Sequence, residues 1–177
     1  YESLPPDERL VGSPAQSYAF LLKRLGAVLW VGGDLKESER RYRAALAIEE
    51  RRLQSTPNDA EGEWALTFTL SDLGGVVKRQ GRRDEAAALW ERALAIRRRA
   101  ANADAKDLRA SRGVAVLLWR TAVLASERQQ HVEAVAGLRE MTAIQEGLLA
   151  TQGQLPPPVT ERAWAIGYLA DALLRRF

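Results

Sequence analysis

The sequence predicts an all-α chain built as an array of antiparallel helix pairs, and three observations predict it. First, a shift of 48 residues brings three segments into register without a gap: GDLKESERRYRAALAIEERR from Gly33, GRRDEAAALWERALAIRRRA from Gly81 and QQHVEAVAGLREMTAIQEGL from Gln129. Self-similarity at a fixed period of this length is the mark of a repeat architecture, in which each unit buries its apolar face against its neighbours. Second, apolar residues inside each unit recur at intervals of three and four, the spacing of one helical face. Third, the palette suits helices. Ala, Leu, Arg and Glu abound and Arg supplies 22 of the 26 basic residues, and all four types propagate helix well.

The register is dense. Glu37, Glu85 and Glu133 align, as do Ile48, Ile96 and Ile144. Tyr42, Trp90 and Leu138 share the position of a large apolar residue, followed by Ala45, Ala93 and Met141. Upstream, Leu22, Leu70, Leu118 and Ile166 fall together, and beside them Leu25, Leu73, Thr121 and Leu169. Gly26, Gly74, Ala122 and Ala170 form a row of small residues.

Each unit reads as two helices. In the second unit Leu66, Leu70, Leu73, Gly74 and Val77 make one stripe, and Ala86, Trp90, Ala93 and Leu94 make its partner. Gly33 and Gly81 stand where a tight helix-to-helix turn needs a positive φ. Gly26 and Gly74 lie inside a helix, where Gly costs about 1 kcal/mol against Ala. Close approach of a neighbouring helix explains that cost, with Tyr42 or Trp90 as the group that intrudes. Ser13-Pro14 with Gln16, and Asp34 with Glu37, mark helix starts.

Units are expected at 14–57, 58–105 and 106–153 within one repeat domain over 13–177, giving seven principal helices. Residues 1–12, with two prolines and no stripe, read as an extended segment. Residues 159–177 match the first helix of a fourth unit and read as a capping helix after the proline run in GQLPPPV. The third unit, with Gln129-Gln130 at its turn and polar Thr121 and Thr142 at apolar positions, is expected to be the least regular.

The order of small residue in the first helix, glycine turn, then alanine, aromatic and alanine in the second resembles the tetratricopeptide repeat. LKRLGAVLWVGGDLKESERRYRAALAI and LSDLGGVVKRQGRRDEAAALWERALAI carry the likeness. The family unit has about 34 residues; the longer period resembles long-unit bacterial arrays, often appended to signalling proteins such as serine/threonine kinases. The resemblance implies a right-handed superhelical array of about three and a half repeats. It also implies a protein-binding scaffold whose first helices line a concave groove and whose second helices form the outer wall.

Composition narrows the function. Hydrophobic residues make up 46 % and charged residues 28 %, an ordinary globular balance. No apolar run reaches the ~18 residues of a membrane span. Cysteine is absent, which removes thiolate chemistry and leaves the compartment open between cytoplasm, the favoured one, and periplasm. The chain opens on Tyr1 with no signal-peptide pattern, as expected of a segment of a larger protein. The single histidine, His131, has no metal-ligating companions and reads as an exposed turn residue. Gly74-Gly75 lacks the Lys-Ser/Thr ending of a phosphate loop. Acid pairs such as Glu49-Glu50 and Asp84-Glu85 stand near arginines, as solvated helix faces do. No catalytic residue, metal site, cofactor or small-molecule substrate is expected.

Arginine runs at Arg40-Arg41-Arg43 and Arg97-Arg98-Arg99 raise nucleic-acid binding, but the net charge is only +3 and acids interleave with them. Aromatic residues for base stacking are not among them. A protein or peptide partner fits better. The face of the first helices offset from the packing stripe carries Phe20, Lys23, Ala27 and Trp30, then Phe68, Ser71 and Lys78, then Trp119 and Trp164 at the same shift. Aromatic anchors in a concavity are what peptide recognition uses, and two lysines favour an acidic segment. Self-association through apolar end faces is the second reading.

Overall fold

The computed structural model describes residues 14–104 and 106–152. These form six helices: α1 (Pro14–Gly32), α2 (Leu35–Ser55), α3 (Ala60–Arg79), α4 (Arg83–Ala103), α5 (Leu108–Glu127) and α6 (His131–Gln152). No strand occurs among the described residues, and no described helix is long and apolar enough to cross a membrane. The expected capping helix at 159–177 and the extended segment at 1–12 lie outside the described residues, as does the Ser13 cap.

The turns repeat the register of the sequence. Gly33 and Gly81 have φ of 88° and 87°, and Gln129, at the same position of the third turn, is held at φ 63°. The left-handed conformation is therefore required by the turn and not by glycine. Each starting helix of the later units is capped alike. Asp59 accepts from Gly62 N at 2.9 Å and Asp107 from Ala110 N at 2.9 Å, matching the Asp34 cap on Glu37 N at 3.1 Å. A carboxylate there satisfies an orphan N–H and complements the helix dipole.

Two compact units divide the chain, residues 1–86 and 87–177. In the first, α1 packs on α2 through Ala19, Leu22 and Ala45, with Ile48 at the edge. Gly26 is the point of closest approach: a Cβ there would lie 2.9 Å from Tyr42 Cε2. Ser38 Oγ donates to the Gly26 carbonyl at 2.8 Å, so the contact is closed by a buried hydrogen bond as well as by packing. α3 lies on the other flank of α2. Gln80 Nε2 donates to the Leu35 carbonyl at 2.9 Å and Arg52 pairs with Asp59 at 2.5 Å. Arg43, Glu39, Arg82 and Glu85 close a ring of ion pairs between α2 and the turn into α4. The Arg82 guanidinium, with help from Arg43, holds the Glu39 carboxyl down at about 2 despite its partial burial.

In the second unit α5 and α6 approach closely at Gly137, where a Cβ would lie 3.3 Å from Ala122 Cβ. The small residue has moved to the second helix of this pair. Thr121 donates to the Leu117 and Leu118 carbonyls, and Thr142 to the Leu138 carbonyl at 2.9 Å. Their hydroxyls are thus satisfied within their own helices. The third helix pair, expected to be the least regular, runs 20 and 22 residues, as long as its predecessors. His131 begins α6 half-buried, with Nδ1 enclosed, and is not the exposed turn residue its neighbours suggested.

Candidate peptide-binding face

α1 and α3 both lean on α2, and their C-terminal ends meet where Arg79 Nη1 donates to the Trp30 carbonyl at 3.1 Å. Because Ala19, Leu22 and Gly26 are turned toward α2, the row Phe20, Lys23, Ala27, Trp30 emerges beside that contact. Phe20 is 57 % exposed. Ala27 and Trp30 are half-buried. Trp30 Nε1 is enclosed and makes no hydrogen bond among the described residues, an unmet donor beside an open aromatic surface.

On α3 the matching row begins one turn earlier than the repeat register suggested. Trp64 meets Phe68 edge to face, with ring centroids 5.2 Å apart and planes at 82°, a favourable quadrupole geometry. Phe68 is 48 % exposed. Trp64 was legible as the residue four before Phe68, on the same helix face. It stands outside the shared row because the equivalent position on α1 is Gln16. Ser71 is buried and Lys78 half-buried.

Lys23 differs from its expected part. Its Nζ lies 2.7 Å from Glu49 Oε1, and the Glu49 side chain is nearly enclosed between α1 and α2. The lysine charge is matched by its own chain, so it is not offered to an acidic partner. At the next step of the register Glu49 is replaced by Arg97, also buried. Desolvation, with the Arg109 charge adding to it and Asp107 opposing, lowers the Arg97 guanidinium to about 9. Gly113 makes room for that side chain, since a Cβ there would lie 2.9 Å from Arg97 Cδ.

In the second unit Trp119 is half-buried on α5, and Val116 on the same face is exposed. Trp90, read as core, is buried and carries Arg120 over its ring at 5.8 Å. Trp164 lies outside the described residues. Of the candidates, Phe20, Ala27 and Trp30 lie on α1, and Phe68 and Lys78 lie on α3 with Trp64 beside Phe68.

No protein-family model and no curated protein matches this sequence. Solved structures do match its fold. The crystal structure of BtubC (BKLC) from P. vanneervenii superimposes with a TM-score of 0.72 at 17 % identity, over 93 % of this chain and 58 % of that one. This chain thus spans a little over half the length of that neighbour. The crystal structure of MamA protein aligns over 88 % of this chain and 90 % of its own at 14 % identity, but its TM-score of 0.36 is too low to bear on the fold. Helix pairs at a fixed register, glycine-type turns and this superposition together establish an all-α, TPR-like helical repeat fold.

Proposed function

We propose that the chain is a protein-interaction scaffold that receives an apolar-anchored peptide segment on the aromatic face of α1 and α3. One observation carries this reading. Phe20 and Phe68, at equivalent positions of successive first helices, are both about half exposed, and Trp64 meets Phe68 edge to face on α3. Large rings held open at fixed spacing on rigid helices are costly to leave in water and suit insertion of apolar side chains. The Lys23–Glu49 pair shifts the expected preference from acidic segments toward apolar ones.

The test is a peptide-display selection on the immobilised chain, followed by affinities for the recovered peptides. Phe20→Ala with Phe68→Ala should weaken them by more than about thirtyfold, the loss of an anchor worth about 2 kcal/mol. Equal affinities for the double variant would place recognition elsewhere on the chain.

A further inference from the structure

A third face of α1 is occupied by neither α2 nor the aromatic row. Tyr18, Leu21, Leu25 and Val28 recur at intervals of three, four and three, and they are between 42 % and 68 % exposed. The repeat register tells what such a row is for. Forty-eight residues on, the same positions of α3 are Leu66, Thr69, Leu73 and Val76, all buried. That row lies along α2. At one end a Cβ on Gly62 would lie 3.0 Å from Leu53 Cδ2, and at the other Gln80 bonds the Leu35 carbonyl. A further step gives Val114, Leu117 and Leu124 on α5, again buried, with half-buried Thr121 between them, beside α4 at the Gly113–Arg97 contact. Wherever the chain supplies a preceding second helix, this row is covered by it.

Charge refines the match. Arg24 of α1 is exposed and stands at the register of Arg120, whose guanidinium lies over the Trp90 ring of α4. On α3 the same register is Asp72. The outward face of α1 is therefore chemically akin to α5, and the helix that lies on α5 is α4. One position departs. Ser17 replaces Gly113, so the space that Arg97 uses on α5 is partly filled on α1.

We infer that the Tyr18–Leu21–Leu25–Val28 row of α1 is a stacking face for the second helix of a further repeat unit, from outside residues 1–177. That helix runs antiparallel to α1, with an aromatic residue to receive Arg24 and no arginine opposite Ser17. The α4 helix of a second copy does not qualify, because it already lies against its own α5.

The experiment adds a probe helix to the full chain: a peptide of residues 82–105 carrying Arg97→Ala. A lactam between positions 95 and 99, both exposed, removes the cost of helix nucleation. Saturable one-to-one binding is expected, with amide-exchange protection appearing on α1 and unchanged on α5. Leu21→Glu with Leu25→Glu in the chain should weaken it at least tenfold. Trp90→Ala in the peptide should weaken it too. The two leucines are exposed, so the double variant keeps its helices, which circular dichroism checks. Absence of binding, or binding indifferent to the two glutamates, overturns the inference. So does sedimentation of the chain alone as a dimer that those glutamates dissociate, since the occupant is then a second copy.

Discussion

The Tyr42 ring stands against bare backbone at Gly26, with its Cε2 atom 2.9 Å from where a Cβ on residue 26 would be. Gly26 lies mid-helix, where it weakens α1 by about 1 kcal/mol relative to Ala. The weakness is offset by the depth to which Tyr42 descends, since Tyr42 is 1 % exposed. The Ser38 hydroxyl on the Gly26 carbonyl fixes the same contact. A local helix penalty is thus exchanged for tertiary packing between two named residues.

Substitutions at two helical glycines should therefore have opposite signs. Gly26→Leu must displace the Tyr42 ring and is expected to destabilise by about 1–3 kcal/mol through overpacking. Gly147, inside α6, has nothing within 4 Å of a built Cβ, and Gly147→Ala should stabilise by up to about 1 kcal/mol through helix propensity alone. Urea titration of both variants measures the pair. Equal signs would show that space at residue 26 is not what glycine supplies there.

The third turn can be improved. Gln129 is held at φ 63° where the first two turns place Gly33 and Gly81. A side chain in the left-handed region costs about 1–2 kcal/mol, partly returned by the smaller entropy a non-glycine residue loses on folding. Gln129→Gly is expected to raise stability by about 0.5–1 kcal/mol, and Gly33→Ala to lower it by a similar amount. Thermal unfolding of the two single variants against the parent decides. A Gln129→Gly variant that loses stability would mean the glutamine side chain holds the turn by a contact of its own.

The ion-pair ring around Glu39 predicts a defined acid dependence. The Glu39 carboxyl is held at about 2, against 4.5 for an ordinary glutamate, first by Arg82 and then by Arg43. Its stabilisation is complete above about pH 4.5. As pH falls below that, the unfolded chain takes up the proton first, and the contribution is gone once the folded value is passed. Glu39→Gln should cost about 1 kcal/mol at neutral pH, as partly solvated pairs do. The gap to the parent should close between about pH 4.5 and about 2. A gap that stays constant through that range would show that the ring acts by packing and not by charge.

Much of the fold was written in local chemistry. The glycines at 33 and 81 and the Asp34 cap each depend only on residues a few positions apart, the 48-residue register repeats that local chemistry, and the structure shows both turns and cap. The register also held the Asp59 and Asp107 caps and the outward row on α1, for anyone following the same columns. Gln129, without glycine's freedom, still takes the left-handed φ of Gly33 and Gly81, because the turn imposes its φ on whatever residue occupies it.

What the sequence by itself determined is the helix period, the turns and which residue types occupy each face. Only the tertiary structure decided what those faces meet. Lys23 read as a groove cation because periodicity gives a direction but no partner; Glu49, 26 residues away, is brought to 2.7 Å by the packing of α1 on α2. Helix packing likewise leaves Phe20 and Phe68 open, encloses Ser71, and leaves the Tyr18–Val28 row of α1 exposed where its counterparts on α3 are buried. Secondary structure follows from short-range backbone preferences that each residue carries with it. Burial and ion pairing follow from which distant surfaces the chain happens to supply, and no residue carries that information alone.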